Sequence, residues 1–163
     1  DVSVGSLALS ASYNPKPAAA AKAETGYAVI YSGLMDGLEL SAAMFDDGDL
    51  AENDTMGVKY TMGNITAAYQ MTNVDYEATG STDQDAVHYG VSVAINDELS
   101  VSAGRQVIEF DGQSDDETNT GLMASYTMGS ISIGGGFNKL ENKNGSNTAK
   151  EVEASIFNIA FSF

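Results

Sequence analysis

Apolar residues take every second position over long stretches of this chain. Ile65, Ala67, Tyr69 and Met71 alternate with Thr66, Ala68, Gln70 and Thr72, and Val87, Tyr89, Val91, Val93 and Ile95 alternate with His88, Gly90, Ser92 and Ala94. Leu122, Ala124, Tyr126 and Met128 oppose Met123, Ser125 and Thr127, and Phe157, Ile159, Phe161 and Phe163 share one side of the last segment. A period of two sends successive side chains to opposite faces of an extended strand. No stretch has the spacing of an amphipathic helix. The best candidate, "PKPAAAAKAE" from Pro15 to Glu24, has alanines of high helix propensity. Its prolines, and its place between two strands, make it a loop with one helical turn at most.

The punctuation between strands repeats. "KYTMGNITAAYQM" (59–71) and "SYTMGSISIGGGF" (125–137) are nearly the same phrase, and "DVSVGSLALSASYN", "GLMDGLELSAAMF" and "AINDELSVSAGRQ" are looser copies. The residues just after the turn are Leu7, Leu38, Ile65, Leu99 and Ile131, so a unit of roughly thirty residues recurs. That unit is a β-hairpin with Gly-Asn or Gly-Ser at its turn. The pattern predicts strands near 7–14, 25–33, 38–45, 55–62, 65–74, 86–95, 99–110, 120–128, 131–140 and 150–163. Tight turns near 34–37, 63–64, 96–98 and 129–130 alternate with longer polar loops near 15–24, 46–54, 75–85, 111–119 and 141–149. Short turns at one end, longer loops at the other and strands of about ten residues predict an all-β fold, a transmembrane antiparallel up-and-down β-barrel, with residues 1–163 as one domain.

The two faces identify the solvent. One parity carries Leu, Ile, Val, Met, Ala and aromatics. The other carries Ser, Thr, Gly, Ala, Gln, Lys59 and His88, too small and polar for a sandwich core and too weakly charged for an ordinary wet surface. Seven of the eight tyrosines (Tyr13, Tyr27, Tyr31, Tyr60, Tyr69, Tyr89 and Tyr126) lie on the apolar parity, as expected for rings placed at membrane interfaces.

Composition narrows the function classes. Seven Lys plus Arg stand against 23 Asp plus Glu, a formal charge of −16, which disfavours a nucleic-acid partner because phosphate binding needs basic patches. There is no cysteine and one histidine, His88, so thiol metal sites are absent and catalytic triads are disfavoured. Ser92 and Ser102 are available to His88 by composition only. No apolar run reaches the length of a transmembrane helix, and no signal peptide opens the chain.

The terminal strand "SIFNIAFSF" resembles that of Gram-negative outer-membrane proteins, and the repeated "YTMGS" turns, Gly-rich strands and acidic loops resemble the C-terminal portion of general bacterial porins of marine and α-proteobacterial type. The resemblance covers essentially the whole chain. It implies that Phe161 and Phe163 serve as the signal read by the assembly machinery. It also implies a barrel of 16–18 strands around an aqueous channel, of which about ten are present. "DVSV" matches the last residues before a turn, so the N-terminal strands, and with them the family's long constriction loop, are expected to be missing from this chain. A complete ten-stranded barrel is the alternative.

Glu39, Lys59 and His88 fall on the lumen parity and are expected to line the channel, where charges shape the field met by ions. Arg105 conflicts with its strand, because parity with Leu99, Val101 and Ala103 aims it at lipid. It could sit high and snorkel or face a neighbouring subunit. The resemblance implies arginines on the inner wall, so a bulge at Gly104 that turns Arg105 into the channel is the expectation. Asp46, Asp47, Asp49, Asp115, Asp116 and Glu117 make the loops acidic, which attracts cations. No EF-hand spacing is present, so loosely bound Ca²⁺ is the only ion such loops would take, and no cofactor is expected. The resulting expectation is an outer-membrane porin passing small hydrophilic solutes and ions by diffusion with a cation preference. It is no enzyme, and it is surrounded by membrane lipid and lipopolysaccharide. The resemblance implies a homotrimer, for which Gly135, Ala124 and Ala42 would allow close packing. The competing readings are a small non-conducting structural or adhesive barrel and a soluble all-β binding protein.

Overall fold

Backbone pairing along the whole chain yields a single sheet. The computed structural model describes residues 1–15 and 22–161. The strands are β1 (Val2–Val4), β2 (Leu7–Asn14), β3 (Glu24–Tyr31), β4 (Leu38–Asp46), β5 (Ala51–Met62), β6 (Ile65–Tyr76), β7 (Gln84–Ala94), β8 (Leu99–Phe110), β9 (Glu117–Met128), β10 (Ile131–Glu141) and β11 (Val152–Phe161). Their order in space is their order in the chain, antiparallel throughout. Among the described residues β1 and β11 form the two edges and do not pair with each other, so the closed ten-stranded barrel is not formed. Residues 16–21 of the expected loop 15–24, and the terminal Phe163, lie outside the described residues. Among the described residues no helix is long and apolar enough to cross a membrane.

The ten expected strands are all present, with β1 as the tail strand that "DVSV" suggested. Several are longer than expected at the loop end, while β3 ends at Tyr31 rather than 33 and β11 begins at Val152 rather than 150. β5 begins at Ala51 rather than 55, β7 at Gln84 rather than 86, and β9 at Glu117 rather than 120. Glu52, Asp54, Asp85 and Glu117 read as loop because of their charge. Backbone pairing needs no apolar side chain where the sheet stands in water, so the ladder continues through them. A short 3₁₀ turn, Lys143–Gly145, sits in the last loop and had no signal in the sequence.

This sheet has no second layer. Among the described residues the only buried apolar side chains are Ala51 and Ala86, and no large side chain is fully buried. Phe157, Met56, Phe161 and Met44 are more than 60% exposed. A soluble sandwich would cover such residues, each of which gains roughly 1.5–3 kcal/mol on leaving water. Nothing in the chain does so.

The register explains the pattern. Counting from the tight-turn end, β4 places Leu38, Leu40, Ala42 and Met44 on one face before Asp46. On the same face β5 places Met62, Tyr60, Val58 and Met56 before Asp54. β6 follows with Ile65, Ala67, Tyr69 and Met71 before Asn73, and β7 with Val93, Val91, Tyr89 and Val87 before Asp85. Four apolar positions followed by a polar one define a belt of constant width, as a bilayer requires. Tyr69 and Tyr89 sit third in their sets, inside the belt rather than at its rim, so the tyrosines make an incomplete girdle.

Gly5, Gly63 and Gly129 have φ of 59°, 60° and 60°. Each opens a two-residue turn between Val4 and Leu7, Met62 and Ile65, or Met128 and Ile131. Positive φ at the first central residue is the II′ geometry that suits the strand twist and favours glycine. A Cβ at Gly63 would meet no atom within 4 Å, whereas one at Gly37 would run into the Thr61 carbonyl. Gly63→Ala is therefore expected to cost only backbone strain, about 1 kcal/mol. Gly37→Ala should cost more, because it also disturbs the 2.8 Å bond from Thr61 N to Gly37 O. Urea midpoints of the detergent-refolded variants check this, and equal midpoints would refute the steric argument.

Candidate functional site

The face opposite the apolar belt is the candidate wall of a channel. Cross-strand pairing sets Glu39, Lys59, Ala68, Gly90, Gly104, Gly121 and Asn138 in one row over seven strands. The next row toward the long loops contains Gln70, His88, Gln106 and Asn119. Hydroxyls pair across the strands of this face, Thr55 with Thr72 at 3.1 Å, Thr61 with Thr66 at 3.0 Å and Thr127 with Ser132 at 3.1 Å.

Glu39 and Lys59 are direct cross-strand neighbours, with Nζ 2.8 Å from Oε1, and both are partly exposed. They stand on one face with His88, but as an ion pair they largely cancel each other's field. Such an exposed pair contributes about 0–1 kcal/mol to stability. His88 lies between Gln70 and Gln106, while Ser92 and Ser102 face each other two rows away. The residues around His88 therefore do not make a nucleophile–base pair.

Arg105 is a correction. The register through Gly104 is unbroken: Gly104 pairs with Gly90 and Gly121, and Arg105 with Tyr89 and Thr120. The expected bulge is absent, and Arg105 stands on the apolar face, opposite to Glu39, Lys59 and His88. It leaves the set of channel-lining residues. Its row holds Tyr69 and Tyr89 on one side and Thr120 and Lys139 on the other. It occupies the fourth place after Leu99, Val101 and Ala103, beside Tyr89 and with Val107 beyond it on the same face, so it lies within the belt. A charged side chain costs about 2–4 kcal/mol at the midplane, and less as its long stem reaches toward the interface. A sequence shows an offending arginine but not its height.

The acidic residues divide in a way that parity alone did not bring out. Asp46, Glu52 and Asp75 are successive neighbours on the apolar-face side, above the belt, and Asp85 pairs with Glu109 there. Their side chains are on the outside of the wall. In the loops, Asp49 Oδ2 accepts from Lys22 N at 3.1 Å, Asp115 Oδ2 from Ser114 Oγ at 2.7 Å, and Glu117 Oε2 from Asn144 N at 2.8 Å. Asn144 is left-handed, with φ of 57°, so Glu117 braces the last loop. Asp47 also has a partner. The Asp116 carbonyl accepts from Asn142 Nδ2 at 3.2 Å. Among the described residues no three His, Asp or Glu side chains converge to hold a metal ion. The acidic loops thus present a spread field rather than a chelate.

Lys22 Nζ reaches Glu77 Oε2 at 2.9 Å and ties two loops together. The hydrogen bond to Glu77 and that carboxylate's charge raise the Lys22 pKa, partly offset by desolvation. The tie is therefore complete below the ordinary lysine range and is lost as pH rises through the raised value.

A sequence profile of Gram-negative porins matches residues 1–157. The chain belongs to the Gram-negative porin family. No curated protein sequence matches it. Solved structures show the same fold at low identity. A porin refined at 1.8 Å resolution matches with a TM-score of 0.74 at 19% identity, covering 99% of this chain and 60% of that one. OccK8 (OprE) of Pseudomonas aeruginosa gives 0.67 at 9% identity, covering 95% and 53%, and OccAB4 of Acinetobacter baumannii gives 0.64 at 11%, covering 85% and 43%. The chain thus spans about half of the length of these porins, and its open sheet is part of a porin wall.

Arg105→Leu tests the register of that wall. The channel conductance is expected to stay at the parent value, and stability to rise by up to about 2–4 kcal/mol. A changed conductance would return Arg105 to the inner face.

Proposed function

We propose that this porin chain forms part of an outer-membrane channel for passive diffusion of small hydrophilic solutes and ions, with a preference for cations. One observation carries the reading: a single-layer sheet with an uncovered apolar belt on one face and short polar residues on the other. Lipid suits the first face. The second, rich in glycine, serine and threonine, is too sparsely filled to plug a lumen, which speaks against a non-conducting barrel. A formal charge of −16 supports the cation preference, since a negative surface raises the local cation concentration. The outward carboxylates above the belt suit a lipopolysaccharide layer in which divalent cations bridge like charges, and loosely held Ca²⁺ belongs there.

Reversal potentials across a salt gradient, recorded in planar bilayers, test the selectivity. Lys59→Ala should raise the cation preference and Glu39→Ala lower it. One uncancelled charge about 7 Å from an ion in water is worth about 0.6 kcal/mol, a factor of about three. The preference should shrink in salt of about 1 M, where screening acts within about 3 Å. Zero reversal potential at low salt would sink the cation reading.

We extend the proposal to a homotrimer. The apolar face has two shallow hollows where small side chains lower the surface, one at Ala124 and Gly135 and one at Ala42. Light scattering of the detergent-solubilised protein should give three times the chain mass, and a monomer mass would overturn the assembly.

A further inference from the structure

The polar face carries a hollow that no role described so far uses. Gly90, Gly104 and Gly121 are direct neighbours on β7, β8 and β9, flanked in their row by Ala68 and Asn138. Three adjacent positions without side chains leave a depression of about 440 Å³ in the wall. Gln70, His88, Gln106 and Asn119 stand along one side, with Ser102 and Met123 on the other. Such a volume lies within the range of small-molecule sites.

Backbone packing does not demand all three glycines. A Cβ at Gly90 would press on the Ala103 carbonyl at 3.0 Å, so that position needs glycine. At Gly104 the closest atom would be the Tyr89 carbonyl at 3.5 Å, an ordinary contact, and at Gly121 it would be the Asn138 side-chain oxygen at 3.3 Å. Glycine within a strand weakens it and often marks a place where a ligand approaches the backbone. The second observation is polar. Gln70, Gln106 and Asn119 set three carboxamides along one side of the hollow, with His88 among them.

We propose that this hollow is a weak station for a neutral polyhydroxylated solute of about monosaccharide size. Carboxamides donate and accept at once, and so does a neutral imidazole. Hydroxyl groups do the same, so a polyol can donate to and accept from the carboxamides of Gln70, Gln106 and Asn119. Met123 offers an apolar surface to the C–H side of a sugar ring. Charged solutes fit less well. The one Lys, Arg, Asp or Glu among the residues bordering the hollow is Arg105, whose register places its side chain on the opposite face, and the ion pair in the same row, Lys59 with Glu39, is closed on itself at 2.8 Å. A passage site must bind weakly enough to release, which a few hydrogen bonds in a wet groove provide.

The inference rests on the channel reading in taking this face as the wetted one. The test uses the full chain in planar bilayers with glucose as the probe, together with saturation-transfer NMR of glucose on the same protein in micelles. Glucose is expected to reduce the ion current along a saturating curve, beyond the linear effect of viscosity, and to receive saturation from the protein. Asn119→Ala and Gln106→Ala should each weaken the half-saturation by about fivefold, the worth of one hydrogen bond, and Gly104→Leu should abolish saturation by filling the hollow. Ser41→Ala, on the same face but four strands from Gly104, should keep the parent curve. A current that falls only with viscosity, alike in all variants and without transfer to glucose, would overturn the site while leaving the channel intact. Transfer to glucose that depends on Asn119 in a protein that does not conduct would uphold the site and sink the channel reading.

Discussion

The constraint on which everything else depends is that a strand crossing hydrocarbon finds no water to bond its backbone. Each N–H and C=O must pair with the neighbouring strand, at a cost of several kcal/mol for each group left over. The sheet meets this with an uninterrupted register from β2 to β11. Side chains are then free of any duty to fill a core. They need only suit the medium on each side of a wall one strand thick. This is why small residues are so common on one face and why large apolar ones remain uncovered on the other.

The same constraint accounts for how charge is distributed. Where the wall meets lipid, charge is nearly excluded, and Arg105 beside Tyr89 is the exception. Above the belt the ladder continues in water, and carboxylates crowd its outer surface, Asp46 beside Glu52 beside Asp75. Like charges directly opposite one another destabilise a sheet, so their presence marks an environment that supplies counterions. On the inner face the pair of Glu39 and Lys59 adds little net field, leaving amides, hydroxyls and bare backbone to meet whatever passes.

Much of this was legible in the sequence because the fold is local. Period two gave the faces, the Tyr-Thr-Met-Gly phrase gave the turns, and Glu39, Lys59 and His88 were correctly grouped on one side. The failures share a cause: parity gives the face of a residue but not its height or its neighbours. Arg105 was turned inward by an expected bulge, since only the pairing of β8 with β7 and β9 shows that its register is unbroken. The pairing of Glu39 with Lys59 needed the register between β4 and β5. The ends of β5, β7 and β9 were cut short because acidic residues look like loop when the boundary of the membrane is unknown. The polar row through Gln70, His88, Gln106 and Asn119 did have a signal, three amides at the parity of His88 on neighbouring strands, but it gains meaning only when the strands are aligned.

Each strand touches only its two sequence neighbours, and this gives the architecture a particular kind of heritability. A hairpin duplicated in the gene brings its own partner and its own turn, and it inserts without disturbing any interface elsewhere. The near-identical phrases at 59–71 and 125–137 are what such copying leaves behind. Barrels of this kind therefore change circumference in steps of two strands, and with it the width of the hole, while a globular core would have to be repacked around every insertion.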